Sequence, residues 1–327
     1  MSLLTISDIS RKDQGGFELK NVSFTQKKYQ KIAVAGETGS GKSTLLKIIA
    51  GLEQPDTGEI LFKDERVKGP GESLVPGHPR IVYLSQNFEL PRFLRVEQVL
   101  SYANTLAADE ANKLYSVCRI DHLLMRKTDE LSGGERQRIA VARLLISWPS
   151  VLLLDEPFTH LDIVHKNTLK AVIRDIGEKL KITCILVSHD PGDTLSWADK
   201  ILVMKDGEVI QKGSPEKIYR EPVNEYAAGV FGKYNLFEFT EAKQFYGRAV
   251  TSNKKKLLVR PEDFKLVPRK VKSIGGKVTK VSFLGNCYEL EVKCGNATVF
   301  IQTDKSNVKE GSRVNIKGSR KHLWFVA

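Results

Sequence analysis

Residues 36–44 read Gly36-Glu37-Thr38-Gly39-Ser40-Gly41-Lys42-Ser43-Thr44. A glycine, four residues and then Gly-Lys-Ser is a spacing that curls backbone N–H groups inward around phosphate oxygens. Lys42 would reach the β- and γ-phosphates of a nucleotide, and the Ser43 hydroxyl would ligate Mg²⁺. Glu37 can point its side chain away from the phosphates. A second anion-binding pattern follows at residues 131–138, Leu-Ser-Gly-Gly-Glu-Arg-Gln-Arg. There Ser132, Gly133 and Gly134 offer a hydroxyl and backbone N–H groups just ahead of a helix. A third pattern is an apolar run closed by two carboxylates, Val151-Leu152-Leu153-Leu154-Asp155-Glu156. Asp155 suits Mg²⁺, and Glu156 suits polarising an attacking water.

The elements around these residues must hold them at one edge of a sheet. Ile32-Ala33-Val34-Ala35 reads as a buried strand feeding the loop, and Leu45, Leu46, Ile48 and Ile49 as the helix leaving it. Further apolar strands are expected at 80–84, 151–154 and 182–187, and helices at 96–126, 135–146, 163–180 and 191–198. Asp206-Gly207 predicts a hairpin. Unbroken apolar strands alternating with helices mean a mostly parallel sheet covered on both faces. Short strands in residues 1–35 add an antiparallel layer. Residues 63–79, rich in Gly and Pro, predict a surface loop. After residue 243 short strand-like pieces recur without a clear long helix, which predicts a small all-β barrel or sandwich.

A chain of 327 residues accommodates two domains. No apolar run is long enough to span a bilayer. Residues 1–13 lack the design of a signal peptide, so a soluble protein not exported by that route is expected. Cys118, Cys184, Cys287 and Cys294 form no zinc-type spacing, and reduced thiols are expected. The net charge of +12 resides in the tail, where residues 241–327 hold 19 Lys and Arg against 7 Asp and Glu. That basic face either meets an anionic partner or is simply solvated.

The string at 131–138, behind the loop at 36–44 and ahead of Asp155-Glu156, resembles the signature motif of ABC transporter ATP-binding subunits. The resemblance implies that Ser132, Gly133 and Gly134 close over ATP held by a second copy's phosphate loop, giving a head-to-tail homodimer with two shared sites. It also implies that Gln86 senses Mg²⁺ and water, that His189 in Ser188-His189-Asp190 contacts the γ-phosphate, and that Leu161-Asp162 addresses the partner subunit. A neutral His189 imidazole can donate one hydrogen bond there. The adenine ring is expected on an aromatic upstream of Lys42. Asp13 stands at that place, and Phe17 is the nearest ring, either the stacking residue or core at a strand start.

Gly213-Ser214-Pro215, Ile218-Tyr219, Pro222, Phe231-Gly232 and Val259-Arg260-Pro261-Glu262-Asp263 are similar to the cassette end and C-terminal β-domain of importer ATPases for maltose, spermidine and putrescine, ferric iron, sulfate or molybdate. The implied architecture is a P-loop α/β cassette at 1–235, with a helical subdomain at about 87–145, then an OB-like regulatory domain at 236–327. The implied partners are integral membrane permease subunits, which would dock near Gln86 and residues 88–94, and indirectly a substrate-binding protein. The implied location is the cytoplasmic face of the inner membrane. The alternative is a non-transport ATPase whose basic tail binds nucleic acid. Against it, the chain holds one cassette and no coiled-coil insertion, and the tail aromatics fall at strand positions. No nucleic acid is expected.

Overall fold

The computed structural model describes residues 2–326 apart from 14, 88, 103, 105, 248, 249, 251–254, 270, 272, 321 and 322. Phe88 and Ala103, expected in the docking stretch and in a helix, lie outside the described residues. Contacts divide the chain into two compact units, residues 1–215 and 216–327.

The first unit contains β1 (Ser2–Lys12), β2 (Glu18–Lys27), β3 (Ile32–Ala35), α1 (Lys42–Ile49), β4 (Thr57–Phe62), β5 (Glu65–Arg66) and β6 (Ile81–Leu84). It continues with α2 (Val96–Ser101), α3 (Ala108–Cys118), α4 (Gly133–Leu145), β7 (Val151–Asp155), α5 (Ile163–Lys179), β8 (Thr183–Val187), α6 (Pro191–Leu195), β9 (Lys200–Lys205) and β10 (Glu208–Gly213). The main sheet has the order β10-β9-β3-β8-β7-β6. Only β10 runs antiparallel to its neighbour, across the Asp206-Gly207 turn. A second, antiparallel sheet has the order β2-β1-β4-β5.

The apolar strands are buried on both faces, and their alternation sorts side chains into two cores. Leu152, Leu154, Cys184 and Leu186 join the core formed with α2, α3, α4 and α5. Val151, Leu153, Ile185 and Val187 join the core under α1 and the antiparallel sheet. This places the carboxyl ends of β3, β6, β7 and β8 side by side, where open α/β sheets bind ligands. The expected helix at 96–126 is two helices, α2 and α3. Among the described residues no helix is long and apolar enough to cross a membrane.

Helix α7 (Pro215–Arg220) begins on the last residue of the first unit, and the second unit holds the rest of it with α8 (Glu225–Val230), β11 (Asn235–Phe237), α9 (Phe239–Tyr246), β12 (Lys256–Val259), β13 (Phe264–Val267), β14 (Ile274–Phe283), β15 (Tyr288–Cys294), β16 (Ala297–Thr303), β17 (Arg313–Gly318) and β18 (Trp324–Val326). Its sheets are β13-β17-β14-β15-β16 and β11-β12-β18. Residues 216–235, read from sequence as the cassette's end, group with this unit. The buried Arg260 explains why: its guanidinium donates to the carbonyls of Tyr219, Ala228, Gly232 and Lys233. Helix α9 departs from the expected all-strand tail, packing Ala242 and Tyr246 into the core of the second unit.

All four cysteines are free thiols. Burial pushes the Cys118 and Cys184 thiols up to about 12, so they remain protonated and inert.

Candidate active site

A cavity of about 530 Å³ opens over the carboxyl edge of the main sheet, lined by Asp13, Phe17, Thr38, Gly39, Gly41, Lys42, Ser43, Thr44, Gln86, Glu156 and His189. Four strand ends supply it. The loop after β3 carries residues 36–44, β6 leads to Gln86, β7 ends in Asp155-Glu156, and β8 leads to His189.

The loop's shape depends on glycine at the crowded positions. Gly36 and Gly41 have φ of 155° and 95°. A Cβ on Gly36 would strike the Met204 carbonyl, and one on Gly41 would sit 2.6 Å from the Phe17 ring. Behind the loop Ser40 is buried, and Gly36 and Glu37 turn their carbonyls onto Lys42. The Lys42 ammonium donates to those oxygens at 2.8 and 2.7 Å. Burial lowers its pKa, while the charges of Glu156, Asp155 and Glu37 oppose that. A cation in this state gains from any anion that reaches it.

Asp155 is 3% exposed. Its Oδ2 accepts the Tyr83 hydroxyl at 2.7 Å, and its Oδ1 is buried without a hydrogen-bond partner among the described residues. Burial, then the hydrogen bond to Asp155, raise the Tyr83 phenol pKa, so it stays a donor. Sequence reasoning missed Tyr83, because one tyrosine in an apolar strand carries no signal. Tyr83→Phe would leave Asp155 with two buried unpaired oxygens, and an unsatisfied buried polar group costs about 1–3 kcal/mol. The urea midpoint of the variant should fall accordingly at unchanged slope. An unaltered midpoint would mean that Asp155 finds its compensation elsewhere.

Glu156 adopts φ 49°, a left-handed conformation unusual for a side chain with a Cβ. Its N–H donates to the Val187 carbonyl at 3.1 Å, which fastens the turn across β7 and β8. The carboxylate is 14% exposed and its Oε2 accepts from His189 Nδ1 at 2.8 Å and Thr159 Oγ1 at 3.3 Å. The side chain expected to polarise water and the one expected to contact the γ-phosphate are therefore joined directly. The His189 loop is anchored from below. Asp193, buried, accepts Ser188 Oγ at 3.0 Å and pairs with Lys166 and Lys170 at 2.8 and 2.6 Å.

Phe17 lies half-buried against the core and over Gly41, with its N–H on Asp13 Oδ1 at 3.0 Å. It both packs and lines the cavity. Ser132, Gly133, Gly134 and Asp162 do not line it. Ser132 caps α4, its Oγ accepting the Glu135 N–H at 3.2 Å while Glu135 accepts the Ser132 N–H at 2.8 Å. Asp162 caps α5, with Oδ1 on the N–H groups of Val164 and His165. His165, which the sequence did not single out, lies between these two caps.

Fold and site together define a phosphate-loop nucleotide hydrolase built on an open, mostly parallel sheet. Comparison with known families gives its kind. Residues 19–159 match the ABC transporter family model and residues 257–326 the TOBE domain model, an OB-like all-β module. The spermidine/putrescine import ATP-binding protein PotA of Clostridium acetobutylicum is 31% identical, over 96% of this chain and 93% of its own length. The glucose import ATP-binding protein GlcV of Saccharolobus solfataricus is 32% identical, over 84% of both chains. The sulfate/thiosulfate import ATP-binding protein CysA of Synechocystis is 31% identical, over 97% and 93%. Among solved structures, cbiO1 of Clostridium perfringens, part of an ABC transporter complex, is 27% identical with a TM-score of 0.60, covering 67% of this chain and 90% of that one. This chain belongs to the ABC transporter ATP-binding family, and it is an ATPase.

Proposed function

We propose that the chain powers import as one of two identical subunits that share two ATP sites head to tail. The observation that carries this is the division of the motifs. Lys42, Ser43, Gln86, Glu156 and His189 surround one cavity, whereas Ser132, Gly133, Gly134 and Asp162 lie outside it. A signature motif that does not line its own chain's cavity suits a second copy. Import follows the printed functions of the relatives. Their cargoes differ, so a polyamine or an oxyanion has relatives in support, while ferric iron rests on the sequence resemblance alone.

In this reading Lys42 and the loop N–H groups hold the phosphates, and Phe17 stacks on adenine beside Asp13. Glu156 accepts the proton of the attacking water, and Thr159 and His189 fix its carboxylate. Because His189 Nδ1–H is given to Glu156, a neutral ring leaves Nε2 as an acceptor. For Nε2 to donate to phosphate, the ring takes a second proton or turns over, a constraint absent from the sequence expectation. The residues that would hold Mg²⁺ are Ser43, Gln86 and Asp155, and the buried, unpartnered Asp155 Oδ1 fits that use. When bound, the ion offsets the negative charge of the phosphates.

A separate permease supplies the membrane path. The groove formed by Glu89, Leu90, Pro91, Arg92, Phe93, Thr128, Asp129 and Arg136, with Phe93 exposed, is the docking surface this reading assigns to it. The subunit then works at the cytoplasmic face of the inner membrane, with a substrate-binding protein delivering cargo to the permease. The OB-like unit serves regulation.

The test is association. With hydrolysis blocked by Glu156→Gln, ATP should convert monomer to dimer in sedimentation velocity. Adding Ser132→Arg should abolish the dimer while ATP still binds the monomer. An unchanged dimer in the double variant would sink the shared-site arrangement.

A further inference from the structure

Ser132, His165 and Asp162 form a hydrogen-bonded chain outside the cavity. His165 Nε2 lies 3.4 Å from Ser132 Oγ, and His165 Nδ1 is bonded to Asp162 Oδ2. The His165 ring lies against Gly134, where a Cβ would come within 2.5 Å of it. A side chain on the second glycine of the signature string would therefore strike the imidazole. None of this follows from the phosphate chemistry of Ser132.

The chain has a direction. Asp162 Oδ1 accepts two backbone N–H groups, at 2.9 and 3.0 Å, which suits an ionised carboxylate. Hydrogen bonds from His165 hold its carboxyl below the usual range. An ionised Asp162 accepts a hydrogen bond from Nδ1–H, so a neutral His165 presents a bare Nε2 lone pair. The Ser132 hydroxyl must then be the donor. Its one proton is spent on His165, and the lone pair on the other side is spent on the Glu135 N–H. A phosphate arriving at Ser132 would meet oxygen lone pairs rather than a donor.

A protonated His165 reverses this. Nε2–H donates to Ser132 Oγ, the hydroxyl proton turns free, and a positive charge is added at the head of α4. Of the charged groups around this chain of hydrogen bonds, Asp162 on the same helix is bonded to His165, and Glu135 on α4 is bonded to Ser132. Glu135 is already taken by the Ser132 N–H and by Arg126 at 3.2 Å.

We propose that His165 is a positioning residue that decides where the Ser132 hydroxyl proton points. Neutral, it withholds that proton. Protonated, it presents the hydroxyl to the γ-phosphate held by a second copy of the chain. The assignment rests on the shared-site reading above. It makes closure of the ATP-bound pair depend on whether the imidazole carries one proton or two.

The experiment measures the ATP concentration giving half-maximal dimer in the full chain carrying Glu156→Gln, by sedimentation velocity in buffers from about pH 5 to about pH 8. The parent should need about five- to tenfold more ATP at the alkaline end, the value of one hydrogen bond. In His165→Gln the side-chain amide can donate to Oγ at every pH, so the requirement should stay at the parent's acid value. In His165→Leu the dependence should also fall well below the parent's, leaving only the share that His189 supplies. If His165→Leu does not fold, His165→Gln alone decides. A variant that keeps the parent's slope overturns the assignment, as does a flat parent in which Ser132→Ala still weakens the dimer. If the parent forms no dimer at any pH, the shared-site reading fails first and this inference falls with it.

Discussion

Glu156→Gln is expected to lower kcat for ATP hydrolysis by about 10²–10⁴-fold, the usual worth of a positioned general base, with ATP affinity nearly unchanged. The substitution is close to isosteric. The amide oxygen can still accept from His189 and Thr159, so the turn at φ 49° and its hydrogen bond to Val187 remain. What is lost is the ability to take a proton from water. Lys42, Ser43 and the loop N–H groups are untouched, so the effect should appear in kcat and not in KM. Single-turnover assays separate the two. A variant that turned over ATP at the parental rate would remove Glu156 from the role of base.

The phosphate loop and the Asp155-Glu156 pair were legible in the sequence because each is local. A strand, a turn and a helix start within a few residues fix their geometry. The parallel sheet was legible for a similar reason, since strands buried on both faces read as continuous apolar runs. Other features depend on residues far apart in the chain. Tyr83 matters only because the parallel pairing of β6 and β7 sets it beside Asp155. His165 matters only because α4 and α5 bring two helix caps together. Arg260 gathers four carbonyls from the segment ahead of it, so the unit boundary falls earlier than the composition break suggested. Helix α9 was hidden by its brevity. Phe239, Ala242 and Tyr246 have helical spacing, but over only two turns among strand-like neighbours.

Lys42→Met should weaken ATP binding by about 10²–10⁴-fold, since two charge-assisted phosphate bonds are worth about 1.5–3 kcal/mol each. The more discriminating expectation concerns the protein without nucleotide. Lys42 is 6% exposed, and burial is the leading cause of its lowered pKa. Folding therefore disfavours the ammonium, and methionine removes that cost while keeping the apolar stem. Two carbonyl hydrogen bonds are lost in exchange, so the melting temperature should stay within a few degrees, a shift of about 1 kcal/mol or less. The sign of the pH dependence checks this. The penalty of a depressed lysine pKa is fully present below its folded value and is relieved as pH rises from there towards the ordinary 10.5. The parent should gain stability over that alkaline window relative to Lys42→Met. Saturating ATP should raise the parent's stability by about 2.7 kcal/mol at a hundredfold excess over Kd, and leave the variant where it was. A variant that melted far below the parent, or still gained from ATP, would mean that Lys42 holds the loop together and does not serve the phosphates.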